Sequence, residues 1–316
     1  MLRSSSCFRS KGRAVAAIAA GLTMLLQGCA SRPINEPIPR AEPEGGYSVV
    51  RHVEQRPDHD RTTLLILAFS GGGTRAAAFS YGVLEELRRT PIVLHGEPRR
   101  MLDEVDIITS VSGGSFTALA YALYGERLFS EYEARFLKRD VEGALIARAL
   151  NPFDWPRMLS TGYGRSELAA TYYDEILFEG ATFGDLAGKP TPVALPSATD
   201  LATGDRFPFM EENFNLICSD LAKVRLSRAA AASSAVPVVL SPVTFDNYGG
   251  RCGFEFPAWI REAVASRNPD LDTGRGLQRY EEMVQLQDSA TRRYLHLVDG
   301  GVSDNVAMRA IVELLE

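Results

Sequence analysis

The chain has 316 residues, of which 45% are hydrophobic and 23% charged, with a formal net charge of −6. Such a length and composition suit one domain with a large core. The acidic balance argues against nucleic acid as a partner, and it gives no electrostatic pull towards anionic lipid.

Arg3, Arg9, Lys11 and Arg13 form a basic flank without an acidic residue, and an apolar run follows from Ala14 to Leu26. The run is shorter than the about 20 residues a membrane-spanning helix needs, and it has the length of a secretory signal core. It ends in Leu26-Gln27-Gly28-Cys29. That ending resembles the lipobox of bacterial lipoproteins, with Gln27 in place of the usual small residue. The resemblance implies a signal peptide over 1–28, cleavage before Cys29 and lipid attached to Cys29. Ala30 after the cysteine implies, by the same likeness, the outer membrane facing the periplasm. An uncleaved anchor or a plain signal peptide is the competing reading. Loss of 1–28 with its four positive charges takes the net charge from −6 to −10, so membrane proximity has to come from the anchor. Residues 31–60 are rich in proline, glutamate and arginine, which predicts a lipid-anchored tether over 29–60 and a domain over 61–316. Cys218 and Cys252 remain after export. They either pair in an oxidising compartment or stay as buried free thiols.

Thr63 to Phe69 is a continuous apolar run, as in a parallel strand buried on both faces. Gly71-Gly72-Gly73-Thr74-Arg75 follows, and Ala76 to Arg89 then reads as a helix with Phe79, Val83, Leu84 and Leu87 on one side. Glycines between a strand and a helix N-terminus present backbone N–H groups to negative charge. A phosphate cradle, an oxyanion hole and a plain tight turn all fit this loop. The cradle lacks a Gly-Lys-Ser/Thr ending and a spaced Gly-x-Gly-x-x-Gly.

Asp106 to Ser115 repeats the pattern: an apolar run, Ser112 at the turn, Gly113-Gly114, then helix. A serine at a sharp strand-to-helix turn is lifted clear of the sheet. Neighbouring parallel strands would carry this turn and the glycine loop to one carboxyl edge, where open α/β folds keep their ligands. A histidine base is poorly supplied. His52 and His59 lie in or near the tether, His95 is in a turn, and His296 is inside the strand read at 293–298. Asp299 ends that strand before Gly300-Gly301. It is either a plain Asp-Gly-Gly turn or a base for Ser112, and the second role requires proximity and a pKa raised by burial.

Gly71-Gly72-Gly73-Thr74-Arg75, Ser110-Val111-Ser112-Gly113-Gly114 and Asp299-Gly300-Gly301 resemble, in order, the three motifs of patatin-like phospholipases. Tyr163-Gly164-Arg165 and Ala198 to Gly204 look similar too. The resemblance implies a three-layer α/β/α sandwich with a mainly parallel sheet. It implies Ser112 as nucleophile, Asp299 as base, and Gly72, Gly73 and Gly113 as oxyanion-hole donors. Gly71 and Arg75 would support the oxyanion loop, with Arg75 alternatively orienting a phosphate. Ser110 stands where the family has the elbow's first glycine. The implied activity is hydrolysis of fatty-acyl esters in phospholipid or lysophospholipid, with no cofactor and no metal. A non-catalytic envelope lipoprotein using the same fold as a binding platform is the competing reading, and a nucleotide-phosphate binder is another. Glu126 to Ala149 reads as a surface helix pair. Arg228 to Ala235 reads as a tightly packed helix. The stretch near Phe254, Phe256 and Trp259 is expected to line or cover the acyl pocket.

Overall fold

A computed structural model describes residues 32–42, 45–55, 62–158, 162–266 and 273–314. The stretch expected as a signal peptide, Cys29 and His59 lie outside the described residues. A short helix, α1 (Val49–Gln55), precedes the first apolar run, which forms β1 (Leu65–Phe69). The glycine loop leads into α2 (Gly73–Arg89). A hairpin of β2 (Pro91–Leu94) and β3 (Glu97–Arg100) stands apart from the main sheet. Next come β4 (Val105–Val111) and α3 (Gly113–Tyr124). Gly125, at φ 55°, closes α3. After α4 (Val141–Leu150) and α5 (Arg165–Tyr173), the chain adds β5 (Val193–Asp200), β6 (Arg206–Pro208) and α6 (Leu226–Ser233). The last described elements of the main sheet are β7 (Val243–Asp246) and β8 (Tyr294–Asp299).

Among the described residues the sheet has six strands in the order β1-β4-β5-β8-β7, with β6 on β5. β1, β4 and β5 are parallel, β8 runs against β5, and β7 runs against β8. Four of the six strands therefore share one direction. Every residue of β4 and β5 is buried, so both faces are covered and the fold is a three-layer α/β/α sandwich. That double cover is why these strands are rich in apolar residues rather than alternating.

Helix α3 is buried from Gly113 to Ala122. Its small residues permit close approach. A Cβ on Gly114 would stand 2.6 Å from the Phe69 carbonyl oxygen. On α2 the buried residues are Ala77, Ser80, Tyr81 and Leu84, while Phe79 is 75% exposed. Phe79 thus departs from the expected core face, because α3 meets α2 along its small residues. There the Thr117 hydroxyl donates to the Ala77 carbonyl at 2.8 Å.

The expected tether is corrected. Residues 32–42 and 45–55 pack on the domain. Arg32 pairs with Asp246 at 2.7 Å, and Asn35 is buried and donates to Ser219 Oγ at 2.8 Å. Tyr47 is a core residue whose hydroxyl accepts the Ala194 N–H at 2.7 Å. The fold thus includes this strap as well as the segment from 61 onwards. It reads as a linker because its hold is sparse: polar anchors at Arg32 and Asn35, then Tyr47 and the short apolar face of Val49 and Val53. Cys218 and Cys252 are disulfide-bonded, with Cα atoms 5.5 Å apart.

Strand register positions the site. Val111 pairs with Ser197 on one side of β5, and Ala198 pairs with Asp299 on the other. The residue after β4 and the last residue of β8 therefore flank β5 at one level.

Candidate active site

The site is built on two interlocked strand-to-helix turns. At the first, Gly72 has φ 137° and Gly73 φ 62°, conformations that only glycine enters freely. Gly71 has no room for a side chain. Its N–H donates to the Asn305 carbonyl at 2.9 Å, and a Cβ would meet Asn305 Oδ1 at 2.3 Å and Ser112 Cβ at 3.3 Å. At the second turn, Ser112 itself has φ 50° and ψ −121°. A non-glycine residue there is strained and persists only where its surroundings hold it. Gly113 completes the lock, since a Cβ on it would lie 1.9 Å from the Gly73 oxygen.

Ser233 on α6 holds the strained turn. Its Oγ accepts the Ser112 N–H at 2.9 Å, lies 2.9 Å from Ser115 Oγ, and donates to the Ser197 carbonyl at 2.7 Å. Neither Ser233 nor Asn305 is singled out by the sequence. The only hint of Ser233 is the small-residue character of its helix, and Asn305 carries no signal.

Ser112 Oγ donates to Asp299 Oδ2 at 2.9 Å across a separation of 187 residues. Both side chains are 7% exposed. The second carboxylate oxygen, Oδ1, accepts the Gly301 N–H at 2.7 Å. Burial pushes the Asp299 carboxyl above the usual carboxylate range, against the opposing pull of the Gly301 N–H and the Ser112 hydroxyl. A buried carboxylate with a raised pKa is a stronger proton acceptor than a solvated one. Among the described residues, the N–H groups of Gly72, Gly73 and Gly113 donate to no partner. They sit at two helix N-termini, where partial positive charge collects.

At the periphery, Arg75 does not hold the loop among the described residues, and His296 stands away from the serine. Arg75 is exposed and makes no hydrogen bond or ion pair among the described residues. Asn305, not Arg75, braces the glycine loop. His296 is exposed on β8 and its Nδ1 lies 3.0 Å from Thr244 Oγ1, apart from the serine.

A cavity of about 480 Å³ opens over Ser112 and Gly113, with walls that include Phe116, Leu145, Leu168 and Leu240. Phe254, Phe256 and Trp259 are absent from it. Phe254 and Phe256 pack edge-on beside Tyr280, and Trp259 lines a separate cavity. The wall comes instead from Phe136, Val141, Leu145 and Ile146, within the stretch read as a surface helix pair. The apolar side of this amphipathic stretch faces the cavity.

The sequence profile of patatin-like phospholipases matches residues 67–311. The chain belongs to the patatin-like phospholipase family. A search of curated proteins finds no match. The patatin domain spans both glycine turns, the cavity wall and Asp299, and the family places the chain among lipid acyl hydrolases.

Proposed function

We propose that this patatin-like chain is a serine acyl hydrolase working through a Ser112–Asp299 dyad on fatty-acyl esters of phospholipid or lysophospholipid. The observation that carries this reading is the 2.9 Å hydrogen bond from Ser112 Oγ to Asp299 Oδ2 at the base of an apolar cavity. Ser112 Oγ attacks the ester carbonyl carbon and its proton passes to Asp299. The resulting oxyanion takes hydrogen bonds from Gly72, Gly73 and Gly113, and one such donor is worth about 10²–10³ in rate. The ester C–O bond breaks, and the leaving alkoxide takes the proton from Asp299. Water then attacks the acyl-enzyme, giving its proton to Asp299. Collapse frees the fatty acid and returns the proton to Ser112. Lipidation at Cys29 and an outer-membrane position facing the periplasm complete the proposal, on the strength of the lipobox-like Leu26 to Cys29.

A serine-directed fluorophosphonate is the direct test. The wild-type chain should be labelled and Ser112→Ala should not. Equal labelling of the two would place the reactive serine elsewhere, and a folded wild-type chain that takes no label would favour the non-catalytic platform.

A further inference from the structure

The mouth of the cavity is lined with apolar side chains that face water. Ile146 and Leu150 on one side, and Val236 and Val239 on the other, line the cavity and are also exposed. Just outside them, Phe153 is 90% and Val238 89% exposed. Trp155 is exposed as well, its indole N–H donating to the Ala149 carbonyl at 3.2 Å. Exposed apolar clusters of this kind mark docking surfaces. Val238 adds a second observation. It has φ 75°, a conformation that is a genuine outlier for a β-branched residue and that asparagine or glycine enters more readily. A valine here serves neither the backbone nor a core.

The path of the strap identifies what covers this rim. Arg32 lies with its side-chain carbons 3.2–3.6 Å from where a Cβ on Gly162 would stand. Three residues further on, Arg165 lines the cavity and donates to the Val238 carbonyl at 2.9 Å. The described chain therefore meets the fold beside the rim. Cys29 is three residues before Arg32, a span of at most about 11 Å at full extension. A lipid on Cys29 would enter a bilayer next to the cavity mouth.

We propose, building on the acyl-hydrolase function above, that this rim docks on a lipid bilayer and that Phe153 and Val238 insert into it. The strap then fixes the orientation of the domain on the membrane. A docked rim makes the apolar cavity continuous with the hydrocarbon layer, so an acyl chain reaches Ser112 without crossing water. The mature charge of −10 gives no net attraction to a lipid surface, so docking is apolar and insensitive to salt.

The test uses the mature chain carrying Cys29→Ser, which removes the lipid, and phosphatidylcholine vesicles. Flotation is measured in a Ser112→Ala background, so that no lipid is consumed. Phe153→Ser and Val238→Asn should each weaken vesicle association by about tenfold, and the wild-type rim should bind equally at low and high salt. Val238→Asn eases the backbone, so its melting temperature should not fall and misfolding would not account for a loss. With Ser112 restored, both variants should lose about tenfold in hydrolysis of vesicle phospholipid while turnover of a soluble short-chain ester stays within twofold. Unchanged vesicle binding overturns the proposal. So does an equal loss on the soluble ester, or a wild-type dimer in solution that both variants dissociate, which would assign the rim to a second copy. If the wild-type chain cleaves no ester, the hydrolase function falls, and the flotation measurement still decides the docking face.

Discussion

Ser112 and Asp299 are held so closely that the cost of their arrangement can be measured. Burial raises the Asp299 pKa in the folded chain, so the folded state binds that proton more tightly than the unfolded one. The stability linked to it is present below the unfolded pKa, about 3.9, and is lost as pH rises through the folded value. At pH 7 the ionised carboxylate is thus a liability. Asp299→Asn is expected to reduce turnover by roughly 10³-fold, with a melting temperature at pH 7 equal to or above that of the wild type. A clear fall in melting temperature would show that the carboxylate is structural. Wild-type kcat/KM should fall on acidification through a pKa above the ordinary carboxylate range, because the base must be ionised. Ser233→Ala would strand the Ser112 N–H and the Ser197 carbonyl. It should cost about 1–3 kcal/mol of stability and lower kcat with KM unchanged, measured by denaturant unfolding and steady-state kinetics. The meeting of 112 with 299 is legible only through the resemblance of the three ordered motifs, because Asp299-Gly300-Gly301 by itself reads equally as a plain turn. Ser233 is not legible. Its partner lies 121 residues away, and a hydroxyl in an alanine-rich helix looks like packing.

The elements that carry the site are legible in part for the same reason that they are stable. β4 is buried throughout, and so stands out as an apolar run, whereas β5 is buried to the same degree but ends in Ser197-Ala198-Thr199-Asp200 and shows no such run. Pairings between helices are less visible. Glu167 on α5 and Arg228 on α6 form a buried ion pair at 2.8 Å, and Arg228 also donates to the Thr244 carbonyl at 2.6 Å and lies over the Phe245 ring. A single charge in a run of alanines has no period to betray its partner. Removing one member leaves the other buried and unpaired, which costs about 3–5 kcal/mol. Glu167→Ala is therefore expected to lower stability by that amount in urea unfolding, since it strands the guanidinium. Replacing both by methionine should cost much less. If the double replacement is as damaging as Glu167→Ala, the pair contributes through Arg228's contacts with β7 instead. The same paired helices meet the cavity through Leu168 and through Ser234 at the end of α6, so a loosened pair should also raise KM for long-chain esters.

At the scale of the whole molecule, the strap is the feature that composition hides. Its proline and charge resemble a linker, yet Tyr47 is buried to the depth of the core and its hydroxyl bonds to β5. Glu211 is the hinge of that closure. The strap turns over it at Gly46, where φ is 56° and a Cβ would lie 2.4 Å from Glu211 Oε2, and the Tyr47 N–H donates to the same oxygen at 3.4 Å. Burial pushes the Glu211 carboxyl up to about 7, opposed by the Tyr47 N–H and assisted by the nearby charges of Glu212, Asp220 and Glu42. The folded chain therefore takes up a proton that the unfolded chain, with a carboxyl near 4.3, does not. By linkage, the stability associated with Glu211 is complete below that unfolded value and declines as pH rises towards 7. Glu211→Gln is neutral at every pH and keeps an acceptor for the Tyr47 N–H. It is expected to raise the melting temperature by about 2–4 °C at pH 8, the shift that 1 kcal/mol gives in a domain of this size, and to change it little at pH 5. Equal shifts at the two pH values would mean that the gain comes from packing rather than charge. A loss at pH 8 would mean that the ionised carboxylate holds the strap. In the expected case, the grip of the strap on the domain tightens as the surroundings acidify, and limited proteolysis before residue 61 should slow between pH 8 and pH 5 in the wild type but not in Glu211→Gln.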